Sequence, residues 1–214
     1  MWWLKVVDKI PIKNRPSAIG IRNLRTIVED VKRCTLCKDE LPLNPNPILQ
    51  VSAASRVLIV GQAPGIRVHE SGLPFNDPSG DRLRRWLGVT RDEFYDPQKF
   101  ALLPMAFCYP GSGKAGDLPP PARCADTWRI RLLRELKDVR FTLLCGRYAT
   151  NWHLPDTIGQ SITTIVKAND VSQTQIIATP HPSGRNNGWF AKNPWFDEDI
   201  VPRIRRQVRV ALIG

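Results

Sequence analysis

Residues 55–81 read "SRVLIVGQAPGIRVHESGLPFNDPSGD". The stretch opens with an unbroken apolar run, Val57 to Val60, closed by Gly61. A run that is apolar at every position, with no alternation, is the pattern of a strand buried on both faces of a parallel sheet. The residues after it are polar and punctuated by glycine and proline, so they read as a long loop leaving the strand's carboxyl end. Open α/β sheets bind their ligands at that end of the strands.

Three more apolar runs resemble the first: "FALLPMAFC" (100–108), "VRFTLLCG" (139–146) and "TQIIATP" (174–180). Helical spacing marks "IRNLRTIVEDVKRC" (21–34), "DRLRRWLG" (81–88, stopped by Gly88) and "ARCADTWRIRLLRELKD" (122–138). A basic terminal helix follows in "EDIVPRIRRQVRVALIG" (198–214), with Pro202 near its start. "ELPLNPNPILQ" (40–50) is too rich in proline to be regular. Residues 1–20, with Pro11, Pro16 and Gly20, form an irregular N-terminal arm ahead of one domain over 21–214. Strands alternating with helices predict a single-domain three-layer α/β/α sandwich with a mainly parallel four-stranded sheet. A length of 214 residues suits one such domain.

The chain has 31 Lys and Arg against 20 Asp and Glu, a net charge of +11 and a pI near 9.9. An excess of that size favours a polyanionic partner, with nucleic acid ahead of an anionic membrane. No segment approaches the ~20 apolar residues of a membrane span, and the first residues, "MWWLKVVDKIPIKNRP", are too interrupted for a signal peptide. The expected setting is cytoplasmic, with no membrane partner and a monomeric chain. In a reducing compartment the five cysteines are metal ligands or buried thiols, not disulfides.

Cys34 and Cys37 form a C-x2-C pair; Cys108 ends the second strand run, and Cys124 follows 16 positions later across "YPGSGKAGDLPPPAR". One tight pair and one spread pair differ from the two short knuckles of a zinc ribbon. Four spaced thiolates can also hold an iron–sulfur cube, and the spacing by itself leaves zinc and cluster open. Cys145, inside an apolar strand, reads as a buried thiol.

Two loops carry the candidate site. The 61–81 loop has neither GxGxxG nor GxxxxGK[ST], so it is no phosphate loop. It offers a tight turn at Gly61–Gly65 that exposes backbone amides, Gln62 as a hydrogen-bonding group, the titratable neighbours His69 and Glu70, and Phe75. An aromatic face with amide donors suits a planar heterocycle such as a nucleobase. The second loop, "TPHPSGRNNGWF" (179–190), places His181 between two prolines at a strand end. There it can donate to a carbonyl oxygen that gains negative charge, while Arg185, Asn186 and Asn187 can engage phosphates or a groove.

In these residues the chain resembles the uracil-DNA glycosylase superfamily. "GQAPG…GLPF" is similar to its water-activating and uracil-stacking motif, and "HPSGRNN" to the motif whose His contacts uracil and whose next residues enter the DNA. The separation of Gly61 and Phe75, and the register of Cys34, Cys37, Cys108 and Cys124, resemble the iron–sulfur, family-4 type. The resemblance runs from about Val28 to the end of the chain. It implies a repair enzyme that flips deoxyuridine from single- or double-stranded DNA, stacks uracil on Phe75 and hydrolyses the N-glycosidic bond. It also implies a structural 4Fe–4S cluster on the four cysteines, with zinc as the alternative. His181 and the amides near Gln62 and Ala63 are the expected donors to the uracil oxygens, and "GRNNGWF" the segment lying on the DNA strand.

Three positions depart from the family pattern. Ala63 stands where the best-known branch has a water-activating Asp, Gly65 where it has the Tyr that blocks thymine, and Pro104 where an Asn reads uracil. Uracil is then expected to be read by Asn76 or by backbone groups, and the water to be placed by Glu70, or by Asp77, with help from His69. The departures keep other readings open. These are a glycosylase for other deaminated or mismatched bases, covalent capture of the abasic sugar by His69 or His181, a non-catalytic binder of uracil-containing DNA, and a zinc-containing RNA-binding module.

Overall fold

The computed structural model describes residues 23–114, 116–168 and 175–213. The expected arm at 1–20 lies outside them. The central sheet contains β1 (Val57–Val60), β2 (Phe100–Leu102), β5 (Phe141–Cys145) and β6 (Ile176–Thr179), in the order β2-β1-β5-β6 and parallel throughout. A separate antiparallel hairpin, β3 (Ser112–Gly113) with β4 (Gly116–Asp117), stands in the proline-rich segment between Cys108 and Cys124.

Because side chains alternate along a strand, β1 feeds both faces. Val57 and Ile59 join one core with Leu83, Trp86, Phe196 and Ile204. Leu58 and Val60 join the other with Ile27, Val31, Trp128 and Leu132. Helices cover both faces, which is the expected three-layer sandwich. The first core is closed by α3 (Pro78–Leu87) and the terminal helix α9 (Val201–Ile213), and the second by α1 (Leu24–Lys32) and a helix, α5, that runs Ala122–Cys124, Ala125–Arg129 and Ile130–Glu135. The middle part of α5 is π-wound, as is Phe196–Ile200 just before α9. Pro202 is the second residue of α9, directly after the π-wound turn.

The long loop after β1 is more structured than the sequence suggested. It contains α2 (Ile66–Ser71), ended by Gly72 at φ 66°, before α3 begins on Pro78. Four short helices add to the plan: α4 (Arg91–Tyr95), α6 (Arg147–His153), α7 (Ile162–Ala168) and α8 (Asn187–Lys192). No helix among the described residues is long and apolar enough to cross a membrane.

The chain reverses its winding direction between β1 and β5, so their carboxyl ends border the switch-point crevice. Both candidate loops leave the sheet at this end. The core beneath is tightly filled: Leu143 in β5 is fully buried, whereas Ile213 is 88% exposed. Leu143→Ala is expected to cost about 2–5 kcal/mol and Ile213→Ala no more than about 0.5 kcal/mol, read by denaturant unfolding.

Candidate active site

A pocket of about 250 Å3 opens at the switch point. Gly61, Gln62, Ala63 and Phe75 supply one side, and His181 and Arg185 the other. Two segments more than a hundred residues apart thus meet in one cavity.

Phe75 is the most constrained residue in it. Its φ is 55°, the only positive value at a non-glycine among the described residues. That conformation costs of order 1 kcal/mol and persists only where neighbours enforce it. A side chain on Gly80 would place its Cβ 1.7 Å from the Phe75 carbonyl oxygen, and one on Gly61 would stand 2.9 Å from the ring's Cζ. Both glycines are therefore required by the placement of Phe75. Its carbonyl accepts from Arg84 Nη1 at 3.4 Å, the neighbouring Pro74 carbonyl accepts from the Tyr95 hydroxyl at 3.0 Å, and Phe94 meets the ring edge-on at 6.2 Å. One ring face is left to the pocket.

The turn after β1 is oriented from behind. Gly61 O accepts from Met105 N and Gln62 O from Ala106 N, at 3.0 and 3.1 Å. In a planar peptide the N–H lies opposite the carbonyl, so the N–H groups of Gln62 and Ala63 are aimed away from the β2 side. Pro104, in the wall, has its own carbonyl held at 2.9 Å by Arg129, a fully buried cation whose guanidinium also reaches Leu103 O at 3.0 Å. Burial lowers the Arg129 pKa to about 9.

His181 follows β6. It can lie against the end of β5 because Gly146 is bare: a Cβ there, at φ 89°, would be 3.1 Å from the His181 Cβ. The Ser183 N–H donates to His181 Nδ1 at 3.2 Å, which puts the imidazole proton on Nε2. Burial lowers the His181 pKa, the carboxylates of Asp77 and Asp117 oppose that shift, and Arg185 reinforces it. The result at neutral pH is an uncharged imidazole that keeps an Nε2–H donor.

Several expected site residues lie elsewhere. Helix α2 rotates about 100° per residue, so with Val68 turned into the pocket wall, Glu70 points to solvent, outside the lining. His69 is also outside it. Its ring is 6.2 Å from Tyr109, its Nδ1 is buried without a hydrogen-bond partner among the described residues, and its carbonyl accepts from Asn46. Asn76 lies past the Phe75 reversal and accepts from Arg91 at 2.9 Å. Asn186 lines the pocket but donates to the His181 carbonyl at 2.7 Å, and Asn187 accepts from Arg82 at 2.7 Å. Trp189 and Phe190 belong to an aromatic group with Trp86 and Phe196, so in "GRNNGWF" these two rings anchor α8 in the core. Arg185 remains at the pocket mouth.

Sequence reasoning missed two contributors. Arg82, which looked like an ordinary charge on an amphipathic helix, donates to Pro182 O, Ser183 O and Asn187 and so fastens α3 to the His181 loop. Asp117 reaches the pocket from the β3–β4 hairpin, whose Gly113 and Gly116 were the available signal.

With that geometry in place, residues 49–205 match the sequence profile of the uracil DNA glycosylase superfamily. The chain belongs to that superfamily. Excision of bases from DNA is the superfamily's activity, and the pocket, the neutral histidine and the basic charge are what such a glycosylase requires.

Away from the pocket, Cys34, Cys37, Cys108 and Cys124 border one small second cavity. Burial raises the pKa of Cys37, takes Cys108 to about 11 and Cys124 to about 12, and the neighbouring cysteines push each of them further up. Donors face the sulfurs: the Asn46 N–H serves Cys108, the Phe107 N–H serves Cys124, and Trp128 Nε1 stands 3.3 Å from Cys34 Sγ. No group of three or more His, Cys, Asp or Glu close enough for a single metal ion forms among the described residues. Cys145 is fully buried with its thiol pushed up to about 12 by burial, as a core residue should be.

The charge balance around His181 is measurable. Its imidazole is expected to titrate below 6.5 in an NMR pH series. Asp77→Asn and Asp117→Asn should each lower that value further, because both carboxylates favour the imidazolium, and Arg185→Ala should raise it. Because the folded pKa is depressed, this group's contribution to stability is complete above the unfolded value near 6.5 and is lost as pH falls from there through the folded pKa.

Proposed function

We propose that the protein is a uracil-DNA glycosylase that draws deoxyuridine out of DNA, seats the base against Phe75 and hydrolyses the bond between C1′ and N1. The observation that carries this reading is that Phe75 and the Nε2–H donor of His181, from loops far apart in sequence, face one base-sized pocket.

The bond breaks with charge separation: the sugar becomes cationic and the departing base anionic. Stacking on Phe75 holds the base, and the Nε2–H of His181 donates to the uracil oxygen that gains charge. A neutral histidine keeps that donor without giving up a proton to the leaving group. Arg185 at the mouth and the +11 charge of the chain attract the phosphate backbone. The strained Phe75 and the pinned amides of the β1 turn are set before substrate arrives, so little reorganisation is needed as charge develops.

We assign a 4Fe–4S cluster to Cys34, Cys37, Cys108 and Cys124, with zinc as the alternative. Four thiols around one cavity, with N–H donors facing three of the sulfurs, suit thiolate ligands, since such donors favour the ionised form. When bound, the cluster supplies a cross-link between the segment after α1 and the two ends of the proline-rich segment. Glycosidic hydrolysis has no redox step.

The test is release of free uracil from a labelled oligonucleotide. Phe75→Ala is expected to slow it by about 10- to 100-fold, the worth of one base stack. His181→Ala is expected to slow it by about 10²–10³-fold, the worth of one donor to a developing oxyanion. No release by the wild type overturns the reading. Retention of the oligonucleotide after denaturation would instead mean covalent capture, and retention only before it a binder. For the metal assignment, purified protein should be brown with stoichiometric iron and acid-labile sulfide, and Cys124→Ala should lose both and melt at lower temperature. A colourless protein with bound zinc overturns the cluster.

A further inference from the structure

The pocket contains two carboxylates, and they are held differently. Asp77 caps α3: its Oδ1 accepts from the Gly80 N–H at 2.8 Å, which ties it to the helix start that fixes Phe75. Asp117 comes from the hairpin. Its Oδ1 accepts from Ser112 Oγ at 2.9 Å, and because the single Ser112 proton is used there, the 2.7 Å contact between Tyr109 and Ser112 is donated by the tyrosine. The chain of donors runs Tyr109 to Ser112 to Asp117 and ends on one carboxylate oxygen. The other, Oδ2, lies 3.4 Å from where a Cβ on Gly65 would stand.

The hairpin that delivers Asp117 is fastened to both halves of the site. The Leu118 N–H donates to Gly111 O at 2.8 Å, and Gln62 Nε2 donates to Leu118 O at 3.1 Å. On the other side the Arg185 guanidinium lies over Gly116, where any Cβ would be 1.3–1.4 Å from its atoms. Asp117 itself is exposed at the pocket rim, accessible to water, and close enough to His181 to favour its charged form.

We propose that Asp117 is the catalytic carboxylate of this pocket, placed by Tyr109 and Ser112. The assignment rests on the reading of the pocket as a glycosylase site. In the step it serves, the C1′–N1 bond breaks and its electron pair leaves on uracil N1. The Asp117 anion stabilises the cationic sugar. A water oxygen bonds to C1′, its proton passes to Asp117 Oδ2 and on to solvent, and the uracil anion is protonated from solvent. His181 and Arg185 from the β6 loop, Asp77 at the head of α3 and Lys114 in the hairpin turn are the charged or titratable groups around it.

Single-turnover uracil release across a pH series tests this on the wild type, Asp117→Asn and Glu70→Gln. Binding to an oligonucleotide with uncleavable 2′-fluorodeoxyuridine is measured beside it. Asp117→Asn is expected to slow excision by about 10²–10⁴-fold, to lose the acidic limb of the pH profile and to bind the analogue like the wild type. Glu70→Gln should cut normally. If Asp117→Asn fails to bind the analogue, Ser112→Ala decides: slower excision with a displaced acidic limb supports the assignment, and unchanged excision overturns it. A cutting wild type with Asp117→Asn at the same rate overturns this assignment alone. A wild type that releases no uracil overturns the proposed function and this assignment together.

Discussion

The site depends on the absence of one side chain. Gly80, in the first turn of α3, lies so close under Phe75 that an added Cβ would reach its carbonyl oxygen at 1.7 Å. That contact is backbone against side chain, so no rotamer change relieves it. With Gly80 in place, Phe75 adopts a left-handed conformation, the chain reverses and the ring turns over Gly61 with one face toward the pocket. The helix then begins at once, capped by Asp77 through the Gly80 N–H. Ring, strain and cap form one unit six residues long, Phe75 to Gly80. A single packing constraint between an aromatic's carbonyl and a helix start thus fixes the Phe75 side of the pocket.

The second half of the site is tied to that unit by α3. Arg82, two residues after Gly80, reaches the carbonyls of Pro182 and Ser183 and the side chain of Asn187, and its guanidinium lies 5.0 Å from the Phe190 ring. The helix that fixes Phe75 therefore also fixes the loop of His181. Charge-assisted bonds to backbone carbonyls are about twice as strong as neutral ones, and here they substitute for the covalent continuity that loops 100 residues apart lack. The aromatic group of Trp86, Trp189, Phe190 and Phe196 anchors the same loop from below.

Much of the fold was legible because its signals are local. The four strand runs are largely apolar without alternation, a pattern that suits a two-sided environment, and all four appear: β1 over its whole run, the others shorter than theirs. The second run reaches Cys108 in sequence but its strand stops at Leu102. Gly88 ends α3 at φ 69°, as expected of a helix-stopping glycine. Phe75, His181 and Arg185 meet in one pocket because both of their loops leave strand carboxyl ends, and the four cysteines border one cavity. Glu70 was placed at the site because the stretch after β1 reads as a loop, with no helix in it. With a helix at 66–71, two positions of sequence become about 200° of rotation, and the carboxylate faces water. Asn76 was misplaced because one positive φ reverses the chain just before it. Asp117 and Arg82 could not be found from spacing at all, since their partners lie in other elements and only tertiary contact brings them together.

The cysteine cavity and the pocket are connected through shared residues. Asn46 gives its backbone N–H to Cys108 and its side-chain amide to the His69 carbonyl in α2. Tyr109, next to Cys108, starts the donor chain that ends on Asp117. Cys124 opens α5, where one turn later the buried Arg129 grips the Leu103 and Pro104 carbonyls in the pocket wall. A polar group as costly to bury as a guanidinium persists only where its bonds offset desolvation, and here those bonds shape the wall that lacks the family's asparagine. Three cysteine-bearing segments thus make contact with α2, Asp117 and Pro104. The proline-rich segment that carries Asp117 is thus bounded at both ends by cysteines of the shared cavity.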